Sequence, residues 1–238
     1  WVTACSDDLA ARARRLGADP ARTEVVPYGV DTERFGPHPT TREAVRRELG
    51  IGRAPLVFSA GRLVRKKGFE YLIEAIGLLS ARFPDVRLVV AGDGDLRDEL
   101  ALRASRLPNT RVRLIGDQPQ DHIARLLSAA DVVAVPSVRD EAGNVDGLPN
   151  FALEALASAT PVVVTDVGGL RQAVTDGVHG RVVPEKNADA LAEAIADLLT
   201  KPEQGRALGD RARARVIQDF GWAHVAERFE AAYDRATA

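Results

Sequence analysis

Short, wholly apolar runs alternate along this chain with longer stretches whose apolar positions recur every three or four residues. "PLVFSAGR" (55–62), "VRLVVAG" (86–92), "RVRLIG" (111–116), "DVVAVPS" (131–137) and "PVVVTD" (161–166) are runs of the first kind and predict buried strands. Between the first two, "GFEYLIEAIGLLSARF" sets Phe69, Leu72, Ile73, Ile76, Leu79 and Phe83 at helical spacing, so it predicts an amphipathic helix. "DLRDELALRASR", "QDHIARLLSAA" and "PNFALEALASA" predict the next three helices. Strands that are apolar throughout and separated by helices imply a parallel sheet covered on both faces, linked by right-handed crossovers. Residues 51–220 therefore read as a doubly wound, Rossmann-like α/β domain, with a last short strand at "RVVP" and helices at about 188–200 and 203–218. A final helix covers 222–237, within a closing segment 221–238.

The first 50 residues follow the same alternation less regularly. "VTACS" is β-prone, and "SDDLAARARRLG" is a capped helix stopped at Gly17. "TEVVPYGVD" is a strand entering a glycine turn, "GPHPT" is loop-like, and "TREAVRRELG" is a helix ended by Gly50. Residues 1–17 look like the tail of a preceding domain, and 18–50 like a linker with an entry strand and helix.

Composition narrows the classes. Hydrophobic residues make up 45% and charged residues 28%, as in ordinary globular domains. The one cysteine, Cys5, allows no internal disulfide, which fits a reducing, cytoplasmic setting. A net charge of -2 offers no electrostatic footprint for nucleic acid. No apolar run approaches the roughly 20 residues of a membrane span, and "WVTACSDDLA" has neither the basic start nor the apolar middle of a secretion signal. With Trp1 first and no methionine anywhere, the chain reads as part of a longer protein. Only four lysines stand against 28 arginines, so the adjacent pair Lys66 and Lys67 draws notice.

Open parallel sheets bind ligands beyond the carboxyl ends of their strands. At that edge the sequence places Gly61-Arg62, Gly92-Asp93-Gly94, Gly116-Asp117, the loop from Ser137, and Asp166 to Gly169. In "GRLVRKKG", Arg62 and Lys67 flank the start of a helix, a setting suited to a diphosphate. Charge alone would equally make it a solvated basic loop. In "DGLPNFALE", Pro149 fits the first helical position, and the amides of Asn150 and Phe151 are left free at the helix start. Asp146 lies just before that helix and Glu154 one turn into it. Taken by themselves, these acids read as a turn residue and a dipole-favoured surface residue. An acid on a buried helix needs a partner, however, and a polyhydroxy ligand would supply one. No His, Cys and Asp cluster shows metal-ligand spacing.

"VPYGVDTERF", "SAGRLVRKKGFEYLIEA", "LVVAGDGDLRDEL", "RVRLIG", "DGLPNFALEALASATPVVVTDVGG" and "DGVHGRVVP" occur in an order and spacing that resemble the donor-binding half of the retaining GT-B glycosyltransferases, family four. The resemblance covers nearly the whole chain. It implies a C-terminal domain that binds a nucleotide-diphosphate sugar, UDP- or GDP-linked, as co-substrate, with no cofactor and no metal. It implies that Arg62 and Lys67 hold the diphosphate, Asp146 contacts the donor sugar and Glu154 the ribose. Asn150 and Phe151 would offer amides to the phosphates, Ile115 and Gly116 would pack the base, and Gly61 and Gly92 would form the floor. The first acid is Asp where Glu is commoner, and the long loop before it makes Glu141 a rival for that role. The partners implied are the sugar donor and an absent N-terminal acceptor domain, through which the whole protein could touch the inner face of the membrane. The family's site histidine belongs to that absent domain; His38, His122, His179 and His224 match no such position. Two rival functions stay open: a GT-B epimerase or phosphorylase, and a nucleotide-binding module without turnover.

Overall fold

The computed structural model describes residues 1–107 and 111–237. Its main sheet contains β3 (Leu56–Ala60), β4 (Arg87–Ala91), β5 (Val112–Leu114), β6 (Val132–Val135), β7 (Val162–Thr165) and β8 (Arg181–Val183). The strands are all parallel, in the order β5-β4-β3-β6-β7-β8. Because successive side chains of a strand point to opposite faces, these apolar runs feed two cores. Phe58, Val133 and Val164 pack with α5 (Gln120–Ala129) and α6 (Asn150–Ala157) on one face. Val57, Val132 and Val163 pack with α3 (Phe69–Leu79) and α8 (Ala188–Thr200) on the other. The predicted doubly wound sheet is the one observed.

The chain runs outward from β3 through α3, β4, α4 (Arg97–Ser105) and β5, then returns through α5 to place β6 on the other side of β3. From β6 it winds the opposite way, through α6, β7, the short α7 (Leu170–Ala173) and β8. Helices leaving β3 and β6 therefore lie on opposite faces, and a crevice opens between their carboxyl ends.

A separate two-stranded parallel sheet pairs β1 (Val2–Ala4) with β2 (Thr23–Val25). Between them α1 (Asp7–Arg15) is capped by the hydroxyl of Ser6, which accepts from the Leu9 amide. This sheet bridges the junction between residues 17 and 18. β2 stops well short of the predicted run to Asp31, since Pro27 has no N–H to give a ladder. α2 (Pro39–Glu48) starts two residues earlier than predicted, because a proline in the first helical turn gives up no bond. After α9 (Pro202–Asp219), α10 (Trp222–Thr237) returns to the small sheet. There Arg228 donates to the Val25 carbonyl at 2.6 Å, and Arg235 pairs with Glu24 at 2.6 Å.

At the amino ends of β3 and β6, Asp131 accepts from Arg42, Arg46 and the Leu56 amide. Arg46 is buried and also donates to the Gly52 and Ala129 carbonyls at 2.8 and 2.9 Å. This knot ties α2 to the sheet at the edge opposite the crevice. Beneath the crevice, Phe58 meets Phe151 edge to face, with ring centroids 5.6 Å apart, so the start of α6 rests on the central strand. Phe58→Ala should leave a cavity there and lower stability by about 3–5 kcal/mol in denaturant unfolding, with Phe58→Leu costing clearly less. An equal loss in both would mean that the ring contact does not seat α6.

Candidate active site

A cleft of about 460 Å³ opens at the carboxyl ends of β3, β4 and β6. Its lining includes Gly61, Arg62, Lys67, Gly92, Asp146, Asn150, Phe151 and Glu154, so eight of the ten predicted site residues share one cavity. Ile115 and Gly116 are not among the lining residues. They stand one step behind it: the Ile115 amide donates to the Val90 carbonyl, and the Gly116 carbonyl accepts from Gly92 at 2.7 Å. Their neighbours Asp117 and Gln118 face the cleft instead. Tyr28, Leu148 and Ile123 also line it and were not foreseen. Tyr28 lies within "VPYGVDTERF", where the residues by themselves signal only a strand entering a turn.

The floor depends on close backbone approach. A Cβ on Gly92 would lie 2.0 Å from the Gly61 carbonyl oxygen, and Gly92 has φ +127, so the two strand ends can meet only without a side chain there. From Gly61 the chain passes through a 3-10 turn, Arg65–Lys67, to Gly68 at φ +65. A Cβ on Gly68 would come within 2.0 Å of the Pro136 carbonyl oxygen. The basic turn is thus pressed against the loop that leaves β6.

Asp146 sits on that loop. Lys67 Nζ lies 2.7 Å from its Oδ2 and Lys66 Nζ 2.9 Å from its Oδ1, while the Ser137 hydroxyl donates to Oδ2 at 3.3 Å. Burial pushes the Asp146 carboxyl up, but the two ammonium groups outweigh it and hold the group below the usual carboxylate range. Glu141 lines a different cavity of about 610 Å³, with Arg65, Glu70 and Lys186. Asp146, not Glu141, is therefore the acid that shares the cleft with Glu154.

Pro149 is the cap of α6 rather than its first helical residue, with φ -64 and ψ 124. The amides of Asn150 and Phe151 are among those that a helix start leaves without an intrahelical acceptor. Glu154, one turn in, is largely buried, and no hydrogen bond or ion pair reaches its carboxylate among the described residues. Burial alone pushes it up to about 7. Arg62 is exposed at the mouth and has no ion-pair partner among the described residues. On the opposite wall, Gln118 is held by His122 Nδ1 at 2.6 Å and donates to the Ile115 carbonyl at 2.7 Å. Among the described residues no group of three or more His, Cys, Asp or Glu side chains could hold a metal ion.

Cations, free helix amides and two acids thus meet in one cleft at the reversal point of a Rossmann-like parallel sheet, the place where such sheets hold ligands. Residues 41–215 match the model of the family described as Glycosyl transferases group 1, and the chain belongs to that family. It is similar to a GDP-mannose-dependent alpha-(1-6)-phosphatidylinositol monomannoside mannosyltransferase of Mycolicibacterium smegmatis, 36% identical over 204 residues, 85% of this chain and 53% of that protein. It is also similar to a D-inositol 3-phosphate glycosyltransferase of Mycobacterium avium, 38% identical over 226 residues, 92% of this chain and 50% of that protein. The chain spans about half the length of the curated relatives it matches. Among solved structures, it resembles Anabaena HepE in complex with UDP, with a TM-score of 0.89 at 23% identity over 98% of this chain and 63% of that one. It also resembles the sucrose-phosphate synthase of Thermosynechococcus elongatus, with a TM-score of 0.83 at 30% identity over 99% of this chain and 58% of that one.

The buried Glu154 sets a pH dependence. Its folded-state pKa of about 7 exceeds the unpaired value of 4.5, so folding favours the protonated form. Its contribution to stability is full below pH about 4.5 and is lost as pH rises through about 7, on the order of 3 kcal/mol in all. Glu154→Gln should remove that slope and gain on wild type between these pH values in denaturant unfolding. Parallel stability curves for the two proteins would show that Glu154 ionises freely.

Proposed function

We propose that this chain is the donor-binding part of a retaining glycosyltransferase, which moves a sugar from a nucleotide-diphosphate sugar to a glycan, lipid or small-molecule acceptor. The observation that carries this reading is the convergence of Arg62, Lys67 and the α6 amides on one cleft that also holds Asp146 and Glu154. A diphosphate wants fixed positive charge and free amides, and sugar hydroxyls want carboxylate acceptors. Family membership supports the transferase class, and relatives named for GDP-mannose and solved with UDP support a UDP- or GDP-linked donor.

When the bond from the anomeric carbon to the diphosphate breaks, negative charge grows on the leaving phosphate oxygens. Arg62, Lys67 and the amides of Asn150 and Phe151 are aimed where that charge appears, and this preorganisation lowers the barrier. They do for the leaving group what a bound metal does elsewhere, so the proposal includes no metal and no cofactor. Asp146 orients the donor sugar, and Glu154 accepts from the ribose. Ile115 and Gly116 back the wall against which the base lies, and Gly61 and Gly92 form the floor. In a retaining transfer the acceptor oxygen approaches the face from which the diphosphate departs.

Most acceptor contacts belong to an N-terminal domain, of which residues 1–17 are the tail, with 18–50 the linker. Residues 51–220 are the donor domain and 221–238 the helix that crosses back. Closure of the two domains would exclude water from the donor. The site of action is cytoplasmic, with any membrane contact made by the acceptor domain at the inner face. The chain alone would bind nucleotide and transfer little sugar.

Arg62→Ala and Lys67→Ala should each weaken UDP or GDP binding by about 10- to 100-fold in titration calorimetry, the worth of one charged hydrogen bond or two. Unchanged affinity in both variants would overturn the phosphate assignment.

A further inference from the structure

Lys66 is unused by the donor reading, yet it makes one of the two closest contacts to Asp146. The two ammonium groups divide the carboxylate between them, Lys66 on Oδ1 at 2.9 Å and Lys67 on Oδ2 at 2.7 Å. The Asp146 side chain is only 11% exposed. One carboxylate balances one lysine, so the trio carries a surplus positive charge. Only Lys67 lines the cleft. The backbone of Lys66 is fixed to the loop that carries Asp146, since its carbonyl accepts from the Val138 amide at 2.9 Å. Gly68, wedged against Pro136, stops the turn from shifting.

Two requirements then conflict if Lys67 acts alone. A partly buried carboxylate that loses its only cation is strongly destabilised, so Lys67 could not leave Asp146 for a phosphate without that cost. Oδ2 also accepts from both the Lys67 ammonium and the Ser137 hydroxyl, which fills its two acceptor positions and leaves none for a sugar hydroxyl. A second lysine that never leaves resolves both.

We propose that Lys66 is a positioning residue that keeps Asp146 paired while Lys67 changes partner. This rests on the donor reading above. In the free protein Lys67 masks Oδ2. When a diphosphate arrives, Lys67 turns to a phosphate oxygen, Lys66 stays on Oδ1, and Oδ2, left with the Ser137 hydroxyl alone, gains a place to accept from a hydroxyl of the donor sugar. Sugar recognition is thereby made conditional on the diphosphate, and a free sugar meets an occupied acceptor.

The test is a double-mutant cycle on UDP and GDP binding by calorimetry, with Lys66→Gln, Asp146→Asn and both together. Lys66→Gln should weaken nucleoside diphosphate binding by roughly tenfold or more, because Lys67 must then strand Asp146 when it moves. In the Asp146→Asn background the same change should alter affinity by less than about twofold, since no charge is left to strand. Lys66→Arg should restore most of the binding, which a general folding defect would not allow, and the unfolding midpoint of each variant checks that it is folded. The inference is overturned if Lys66→Gln binds like wild type, or if it loses as much affinity with Asn at position 146, which would make Lys66 a direct or long-range phosphate contact. If Lys67→Ala loses binding while Lys66→Gln does not, this inference alone fails. If the wild-type chain binds neither UDP nor GDP, the donor reading fails and takes this one with it.

Discussion

A parallel sheet whose chain reverses its winding direction must leave a gap at the reversal. Here β3 and β6 are hydrogen-bonded neighbours, yet one is followed by a helix on one face and the other by a helix on the opposite face. Nothing in the right-handed crossover rule can close the space between them at the carboxyl end. Every feature of the cleft follows from that. The Arg65–Lys67 turn leaves β3, the Ser137–Leu148 loop leaves β6, and they face each other because their strands are adjacent. The glycines at positions 68 and 92 let these connections approach to backbone contact, and Lys66 and Lys67 from one of them and Ser137 from the other meet at the Asp146 carboxylate.

The electrostatics of the gap are unbalanced in a particular way. Among the described residues, Asp146 has more cations than it needs, Arg62 has no anion, and Glu154 is desolvated with no partner. A protein interior tolerates such groups only at a cost in stability. Each imbalance is of the sign that a ligand carrying negative phosphates and donor hydroxyls would correct. The opposite edge of the sheet, where Arg42, Arg46 and Asp131 satisfy one another, is fully paired by comparison.

Much of this was legible in the residues. The five main apolar runs and the helices between them are long and strongly patterned, so "VVAV", "VVVT" and "FEYLIEAIGLL" could hardly be anything but strands and a helix of a doubly wound sheet. Edge position drew attention to Arg62, Lys67, Asp146 and Glu154, and the family resemblance gave them their roles. Local contacts set by tertiary packing were harder to see. The choice between Asp146 and Glu141 depends on which side of the loop faces β3. The double pairing by Lys66 depends on a 3-10 turn that adjacent lysines do not announce. Tyr28 reaches the cleft from outside the main sheet. Ile115 and Gly116 lie just behind the cleft lining, because β5 ends at Leu114 and the chain turns so that Asp117 and Gln118 face inward. The four-residue α7 falls below the length at which periodicity speaks.

The knot at Asp131 acts at a distance from where it sits. Its carboxylate takes the Leu56 amide at 2.7 Å while its own amide donates to the Leu56 carbonyl at 2.9 Å, so β3 and β6 are pegged together at their first residues. These strands are brought together across 75 residues of chain, and apolar runs on both faces offer little to stop one sliding along the other. A peg at one end of two parallel rulers decides which marks stand level at the other. Because β3 is five residues long and β6 four, a single step of slippage would carry the basic turn past Asp146 by about 3.3 Å. The alignment of the cleft edge is thus measured out from an ion pair at the far edge of the sheet.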